Sequence, residues 1–158
     1  MLGRKRKKAV KSTHKIIDKS NKNNHVDYQE VYRNIRTNIE YSAVGKNVKA
    51  INITSSISNE GKSTTALNLV MIYATKYANV LLIDADLRRP TQHHYLKLSN
   101  SRGLTNALIE YGETKKISSK YFQFIEDESF EGKLSVLTAG IKVPTPSELI
   151  SSDIFEEF

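Results

Sequence analysis

Residues 59–64 read Asn-Glu-Gly-Lys-Ser-Thr, and residues 84–90, about twenty positions further on, read Asp-Ala-Asp-Leu-Arg-Arg-Pro. The first stretch lies between an apolar run and a segment with helical spacing, and the second closes another apolar run. A loop that ends at a helix N-terminus directs free backbone N–H groups and the positive end of the helix dipole toward one point, which suits a phosphate. Paired carboxylates at a strand end suit the accompanying metal ion. Together the stretches predict an α/β fold that binds a nucleotide.

The loop residues have complementary chemistry toward a nucleoside triphosphate. Gly61 allows close backbone approach, Lys62 adds positive charge toward the β- and γ-phosphates, and Ser63 offers a hydroxyl to Mg²⁺. In the full phosphate-loop pattern G-x-x-x-x-G-K-[ST], Ser56 replaces the first Gly, so the match is partial and an ordinary strand-to-helix turn is the alternative. The candidate ATP-binding residues are Asn59, Glu60, Gly61, Lys62, Ser63 and Thr64.

The second stretch supplies the candidate metal ligands. Side chains alternate along a strand, so Asp84 and Asp86 should project to the same side at the carboxyl edge of the sheet. Two carboxylates there repel each other unless a cation such as Mg²⁺ lies between them, and one of them can accept a proton from an incoming hydroxyl. The alternative is a plain strand end in which Asp86 pairs with Arg88 or Arg89. The candidate Mg²⁺ ligands are Ser63, Asp84 and Asp86, and the candidate catalytic residues are Lys62, Asp84 and Asp86.

Hydrophobic periodicity extends the α/β prediction along the chain. Asp27 is expected to cap the first helix, whose apolar stripe should pack while its charged side faces solvent. Residues 80–83 are continuously apolar, which predicts a parallel strand buried on both faces. The predicted helices are 28–42, a helix that begins near Lys62 and has apolar positions from Ala66 to Tyr77, 104–111 and 146–155. The predicted strands are 48–54, 80–83 and 133–138.

The net charge of +7 is concentrated at the amino end. Residues 1–22 contain nine Lys or Arg against Asp18, whereas in the remainder fifteen basic residues face sixteen acidic ones. We therefore expect a basic flexible tail over residues 1–26 and one folded unit over residues 27–158. The charge balance of the folded unit argues against specific nucleic-acid binding, and the tail suits an anionic membrane or an acidic partner.

The absence of cysteine excludes disulfides, thiolate zinc sites and cysteine nucleophiles, and it accords with a reducing cytoplasm. No run approaches the roughly 18 apolar residues of a membrane-spanning helix. We therefore expect a cytoplasmic chain whose membrane association, if any, uses the tail or a partner.

Further segments carry a family resemblance. Residues 80–90 read V-L-L-I-D-A-D-L-R-R-P, residues 146–149 read P-S-E-L, and Glu30, Arg33 and Arg36 form an E-x-x-R-x-x-R pattern. On these motifs the chain resembles the bacterial tyrosine kinases of capsule and exopolysaccharide synthesis, of the type whose cytoplasmic kinase is separate from its membrane activator. The first segment resembles the family's Walker A′ motif, and the last pattern resembles the helix through which these kinases form rings.

The resemblance implies a P-loop fold with a mostly parallel sheet flanked by helices, and an ATP-dependent, Mg²⁺-using protein-tyrosine kinase. It also implies ring assembly through Glu30, Arg33 and Arg36, a membrane-anchored activator as partner, and protein tyrosine substrates. The chain would then lie at the inner face of the plasma membrane through that partner.

The chain also departs from the family pattern. Ser58 and Asn59 stand where the family usually has Pro-Gly, so residue 59 is expected to need a positive φ, which Asn tolerates better than most residues. By the resemblance, the Walker B strand and the tyrosine-rich tail are missing, which would leave two strand edges and apolar surface uncovered. We expect such a chain to be marginally stable or to aggregate.

Two other functions stay open. A partitioning or septum-positioning ATPase has a related fold, but the extra Lys of its loop would stand at position 57, which is Ile57 here. A non-catalytic interaction module of the same system would use the first helix and the basic tail to join a kinase ring or its activator.

Overall fold

The computed structural model describes residues 10–11, 27–46 and 48–158. Apart from the two-residue strand at Val10–Lys11, the predicted tail over residues 1–26 lies outside the described residues. None of the described helices is long and apolar enough to cross a bilayer. The elements are β1 (Val10–Lys11), α1 (Tyr28–Ser42), α2 (Lys62–Ala74), β2 (Asn79–Ile83), α3 (Gln92–Leu96), α4 (Leu104–Thr114), a 3₁₀ turn (Ser119–Tyr121), β3 (Gln123–Glu126), β4 (Lys133–Leu137), α5 (Pro146–Ile150) and α6 (Asp153–Glu157).

The described strands form one mixed sheet in the order β1-β3-β4-β2. β2 pairs with β4 in parallel over their full lengths, and β1 pairs with β3 in parallel, whereas β3 and β4 are antiparallel. This arrangement confirms the predicted α/β class with a mostly parallel sheet. Strand β3 was not expected from the sequence, because its apolar residues Phe124 and Ile125 form too short a run beside the acidic residues 126–128.

Two hydrophobic clusters hold the described elements together. The first lies between the sheet and helices α2 and α3, and it includes the fully buried Leu96, Leu134 and Val136. The second joins α4 to the carboxyl end of β4 around Leu108 and Leu137. The clusters fix the beginning of α2 and the end of β2 relative to each other, and the candidate site lies at these two ends.

Helix α1 begins where the sequence predicts, after Asp27, whose carboxylate accepts the N–H groups of the first turn. Its packing side agrees with the prediction only in part, because Tyr28, Tyr32 and Ile39 are half-buried while the charged side also makes contacts. Arg36 donates to the Ile72 carbonyl in the last turn of α2 at 3.0 Å, and Glu40 pairs with a lysine beyond that helix. Val31 is 41% exposed. The last carbonyls of a helix lack partners within the helix. The end of α2 therefore offers hydrogen-bond acceptors to the charged side of α1.

The predicted strand over residues 48–54 is wrong for this structure, because that segment has no regular secondary structure. A strand needs a neighbour to complete its backbone hydrogen bonds. β2 ends the described sheet and pairs only with β4, so no described strand lies beside residues 48–54. This agrees with the expectation of uncovered strand edges.

The two-sided burial predicted for residues 80–83 is also wrong. Leu82 is buried under α2, whereas Leu81 and Ile83 on the opposite face are 45% and 46% exposed. Alternation along the strand sends these two side chains away from the first cluster, and the described residues leave them uncovered. The continuous hydrophobic run predicted burial of both faces of this strand. In the described part of the structure only the face that carries Leu82 is buried.

The predicted helix over residues 146–155 is two helices, α5 and α6. Ser152 has extended backbone geometry, and its hydroxyl accepts the Phe155 N–H as the N-cap of α6. Serine competes with helix continuation in this way, so the break follows from local chemistry.

Candidate nucleotide-binding site

The phosphate-loop candidate passes directly into α2, with Gly61 as the N-cap of the helix. Gly61 has φ 86° and Asn59 has φ 67°, both in the left-handed region. A Cβ added to Gly61 would contact nothing within 4 Å, so backbone conformation and not crowding favours glycine there. The positive φ expected for Asn59 is confirmed.

The side chain of Glu60 closes the loop on itself. Its Oε2 accepts the backbone N–H groups of Ser56 at 3.0 Å and Ile57 at 3.3 Å. Only the backbone of Glu60 therefore stays available to a phosphate in this conformation. Helix α2 begins at Lys62, so the N–H groups of Lys62, Ser63 and Thr64 in its first turn have no acceptor within the helix.

Lys62 and Asp86, predicted separately from the two sequence stretches, are in contact. The Lys62 Nζ lies 2.7 Å from Asp86 Oδ2, and Asp86 Oδ1 accepts the Arg89 N–H at 2.9 Å. Burial raises the pKa of Asp86, but the hydrogen bonds from Lys62 and Arg89 outweigh burial and hold this pKa below its ordinary value. The ammonium group thus neutralises the charge of Asp86, one member of the carboxylate pair.

Asp84 is the buried member of the pair, with 5% of its surface exposed. Its Oδ2 accepts the N–H groups of Thr91 at 3.2 Å and Gln92 at 3.1 Å, and its Oδ1 accepts that of Asp86 at 3.3 Å. Burial raises the pKa of Asp84 above its ordinary value, and the three backbone hydrogen bonds oppose the rise. The beginning of α3 therefore fixes the Asp84 carboxylate.

Gln92 joins this carboxylate to the phosphate-loop helix, a role that sequence reasoning missed. Its side-chain Nε2 donates to the Ser63 carbonyl at 2.9 Å, and 4% of the residue is exposed. No sequence signal marks it, since Gln92 stands in the polar run Thr91–His94 and a surface helix would look the same.

The donor set suits a hard divalent cation. Ser63, Asp84 and Asp86 provide oxygen ligands, which Mg²⁺ prefers, and the described part of the chain contains no group of three or more His, Cys, Asp or Glu able to hold a metal. Mg²⁺ typically uses one or two carboxylates together with phosphates and water, so this sparse set fits it. Thr91 Oγ1 and Gln92 Oε1 are buried without a partner among the described residues, which leaves polar atoms for a hydrated ligand beside Asp84.

The predicted assembly residues lie apart from this site, on α1. Glu30 and Arg33 are exposed, and the Arg33 guanidinium donates to Gln29 of the preceding turn at 3.3 Å. Arg36 is half-buried and bonded to the Ile72 carbonyl, so its side chain takes part in the α1–α2 contact.

Comparisons with known proteins identify relatives in the same family that the motifs resemble. The chain is 47% identical over 128 residues to tyrosine-protein kinase YwqD of Bacillus subtilis (strain 168), a match that covers 81% of this chain and 51% of the relative. It is 40% identical over 126 residues to the putative tyrosine-protein kinase CapB of Staphylococcus aureus, covering 80% and 52%. This chain is related to the bacterial tyrosine kinases.

Solved structures show that the similarity includes the fold. The chimerical protein CapA2B2 matches with a TM-score of 0.66 and 35% identity, over 84% of this chain and 54% of that one. The kinase domain of Escherichia coli tyrosine kinase ETK matches with a TM-score of 0.59 and 31% identity, over 77% and 45%. No family model matches the chain. The chain spans about half the length of the first two curated relatives.

Proposed function

We propose that this chain binds ATP with Mg²⁺ and acts in an ATP-dependent protein-tyrosine kinase that regulates capsule or exopolysaccharide synthesis. Residues 59–64 would bind the phosphates, and residues 27–158 would form part of the kinase domain. The observation that carries the proposal is the 2.7 Å contact between Lys62 and Asp86, because it brings the phosphate-loop lysine and the Walker A′ carboxylate to one point.

The residues of the chain have distinct tasks in this proposal. Lys62 would leave Asp86 and bind the β- and γ-phosphate oxygens, which are stronger concentrations of negative charge. Ser63 and the freed Asp86 would then hold Mg²⁺ beside Asp84, and the ion would neutralise charge on the transferred phosphoryl group. One of the two aspartates would accept the proton of a tyrosine hydroxyl.

The wider setting follows from the family relationship. We propose that a membrane-anchored activator brings the chain to the inner face of the plasma membrane and that Glu30 and Arg33 contribute to self-association into a ring. The nine basic residues within positions 1–22 would add attraction to anionic lipids, which weakens as salt is raised.

Nucleotide titration of the purified 158-residue chain tests the binding step. Calorimetry with ADP should detect binding that is tighter in millimolar Mg²⁺ than in EDTA, and Lys62→Ala should abolish or strongly weaken it. Lys76→Ala is the matched control, because Lys76 forms a comparable ion pair with Glu40 away from the loop. Equal ADP binding by wild type and Lys62→Ala would refute the site.

Phosphotransfer is tested separately with ATP, Mg²⁺ and the cytoplasmic segment of a candidate activator. Formation of phosphotyrosine that is lost in Asp84→Asn supports the kinase. Partner binding without phosphotyrosine, lost in Arg33→Ala but retained in Lys62→Ala, would instead support the non-catalytic interaction module. The exposure of Glu30 and Arg33 on α1, away from the nucleotide site, is the observation that keeps this second function in view.

A further inference from the structure

Gln92 makes two hydrogen bonds to groups on different elements of the candidate site. Its backbone N–H donates to Asp84 Oδ2 at 3.1 Å, and its side-chain Nε2 donates to the Ser63 carbonyl at 2.9 Å. Asp84 follows β2 and Ser63 lies in the first turn of α2. One residue therefore connects the carboxylate at the strand end to the beginning of the phosphate-loop helix.

A second polar link between these elements is the ion pair of Lys62 with Asp86. On the proposed function, this pair must open when the Lys62 ammonium turns to a phosphate. The bonds of Gln92 use backbone groups of Ser63 and of residue 92 itself, which no phosphate displaces. Gln92 thus continues to hold the two elements together after the ion pair has opened.

Burial makes the link specific. Gln92 is 4% exposed, so water does not compete freely for its amide, and Asp84 is 5% exposed. The side-chain Oε1 of Gln92 is buried without a partner among the described residues, as is the neighbouring Thr91 Oγ1. The water ligands of a bound Mg²⁺ are hydrogen-bond donors, so a hydrated ion beside Asp84 would supply what these two oxygens lack.

We infer that Gln92 is a positioning residue for the metal: it sets the distance between Ser63 and Asp84 and thereby determines how strongly Mg²⁺ increases nucleotide affinity. The inference rests on the proposed function. It predicts a selective effect, because phosphate contacts of Lys62 and the loop N–H groups do not pass through Gln92, whereas the metal ligands do. Removal of groups that orient metal ligands typically costs about 10- to 100-fold in metal affinity.

The test measures the ADP dissociation constant in EDTA and in millimolar Mg²⁺, and takes their ratio as the Mg²⁺ gain. Gln92→Met keeps the length of the side chain and removes the donor to Ser63. We expect the Mg²⁺ gain to fall about tenfold, while the dissociation constant in EDTA changes less than about threefold.

Gln123→Met is the matched control, since Gln123 Nε2 donates to the Ser99 carbonyl at 2.7 Å, away from the phosphate loop. Urea unfolding of both variants reports their stability. An unchanged Mg²⁺ gain in Gln92→Met, or an equal fall in Gln123→Met, would overturn the inference while leaving the proposed function standing. Absence of any ADP binding by wild type would overturn the proposed function as well.

A second measurement does not require the Gln92 variant to fold. The glutamines of the chain are Gln29, Gln92 and Gln123, so ¹⁵N-glutamine labelling gives a sparse side-chain amide spectrum. Adding Mg²⁺ to the wild-type ADP complex should shift one amide pair, which Gln29→Met and Gln123→Met retain. A spectrum in which no amide shifts, or in which the shifting pair is lost in either control variant, would contradict the role of Gln92.

Discussion

Replacing Asp86 by Asn should have opposite effects on nucleotide binding with and without metal. In the free chain the Asp86 carboxylate competes with phosphate for the Lys62 ammonium, at an Nζ–Oδ2 distance of 2.7 Å. Asp86→Asn removes the competitor and its repulsion of the phosphates, so ADP should bind more tightly in EDTA. With Mg²⁺ present, the variant lacks a predicted metal ligand and should gain less from the ion than wild type does.

The size of the effect follows from the exposure of the pair. A hydrogen bond between charged groups is worth about 1.5–3 kcal/mol when shielded, whereas an exposed ion pair is worth about 0.2–1 kcal/mol. The side chains of Lys62 and Asp86 are 34% and 22% exposed, between these limits. We therefore take about 1–2 kcal/mol, which corresponds to roughly 5- to 30-fold tighter binding of ADP in EDTA.

Isothermal titration of wild type and Asp86→Asn with ADP, in EDTA and in Mg²⁺, measures both effects. Glu40→Gln is the control, because Glu40 pairs with Lys76 at 2.6 Å with similar exposure but remote from the loop. Equal or weaker ADP binding by Asp86→Asn in EDTA would show that the ion pair does not restrain the lysine.

Three further predictions concern stability, each measured by urea unfolding. Asn59→Ala should cost about 1–2 kcal/mol because φ is 67°, whereas Asn59→Gly should stay within about 1 kcal/mol of wild type; equal losses would contradict the backbone explanation. Burial raises the pKa of Glu40, but hydrogen bonds from Lys76 and Tyr77 outweigh burial and hold this pKa below its ordinary value. Glu40→Gln should therefore be less stable than wild type at neutral pH, and the difference should close as pH falls through that lowered pKa; a difference independent of pH would refute the linkage. Leu108→Ala should cost about 2–5 kcal/mol, since the side chain is fully buried, and a loss below about 1 kcal/mol would place it outside the core.

Local signals in the sequence predicted local structure well. The cap at Asp27 and the spacing after it gave the beginning and end of α1, and Gly61 gave the beginning of α2. These helix starts depend on residues within a few positions, so a single sequence contains the necessary information. The positive φ of Asn59 was expected instead from the family pattern, which usually has Gly at this position.

Features that depend on distant partners were predicted less well. Residues 48–54 have strand-like composition but no described neighbour to pair with, and Phe124 and Ile125 form a strand only because β1 and β4 accept them. In the candidate site, the sequence predicted that Lys62, Asp84 and Asp86 belong to one site, but it did not predict which of these side chains are in contact. The contact between Lys62 and Asp86, and the bridge made by Gln92, arise from the tertiary arrangement of α2, β2 and α3.

The one-sided burial of β2 has a consequence for how substitutions act along it. Leu82 packs under α2, while its neighbours Leu81 and Ile83 face outward. A codon-by-codon scan of these positions should accept glutamine or lysine at 81 and 83 and reject both at 82. Exposed leucine and isoleucine side chains also promote aggregation. The accepted polar replacements should therefore reduce aggregation of the purified chain at high concentration.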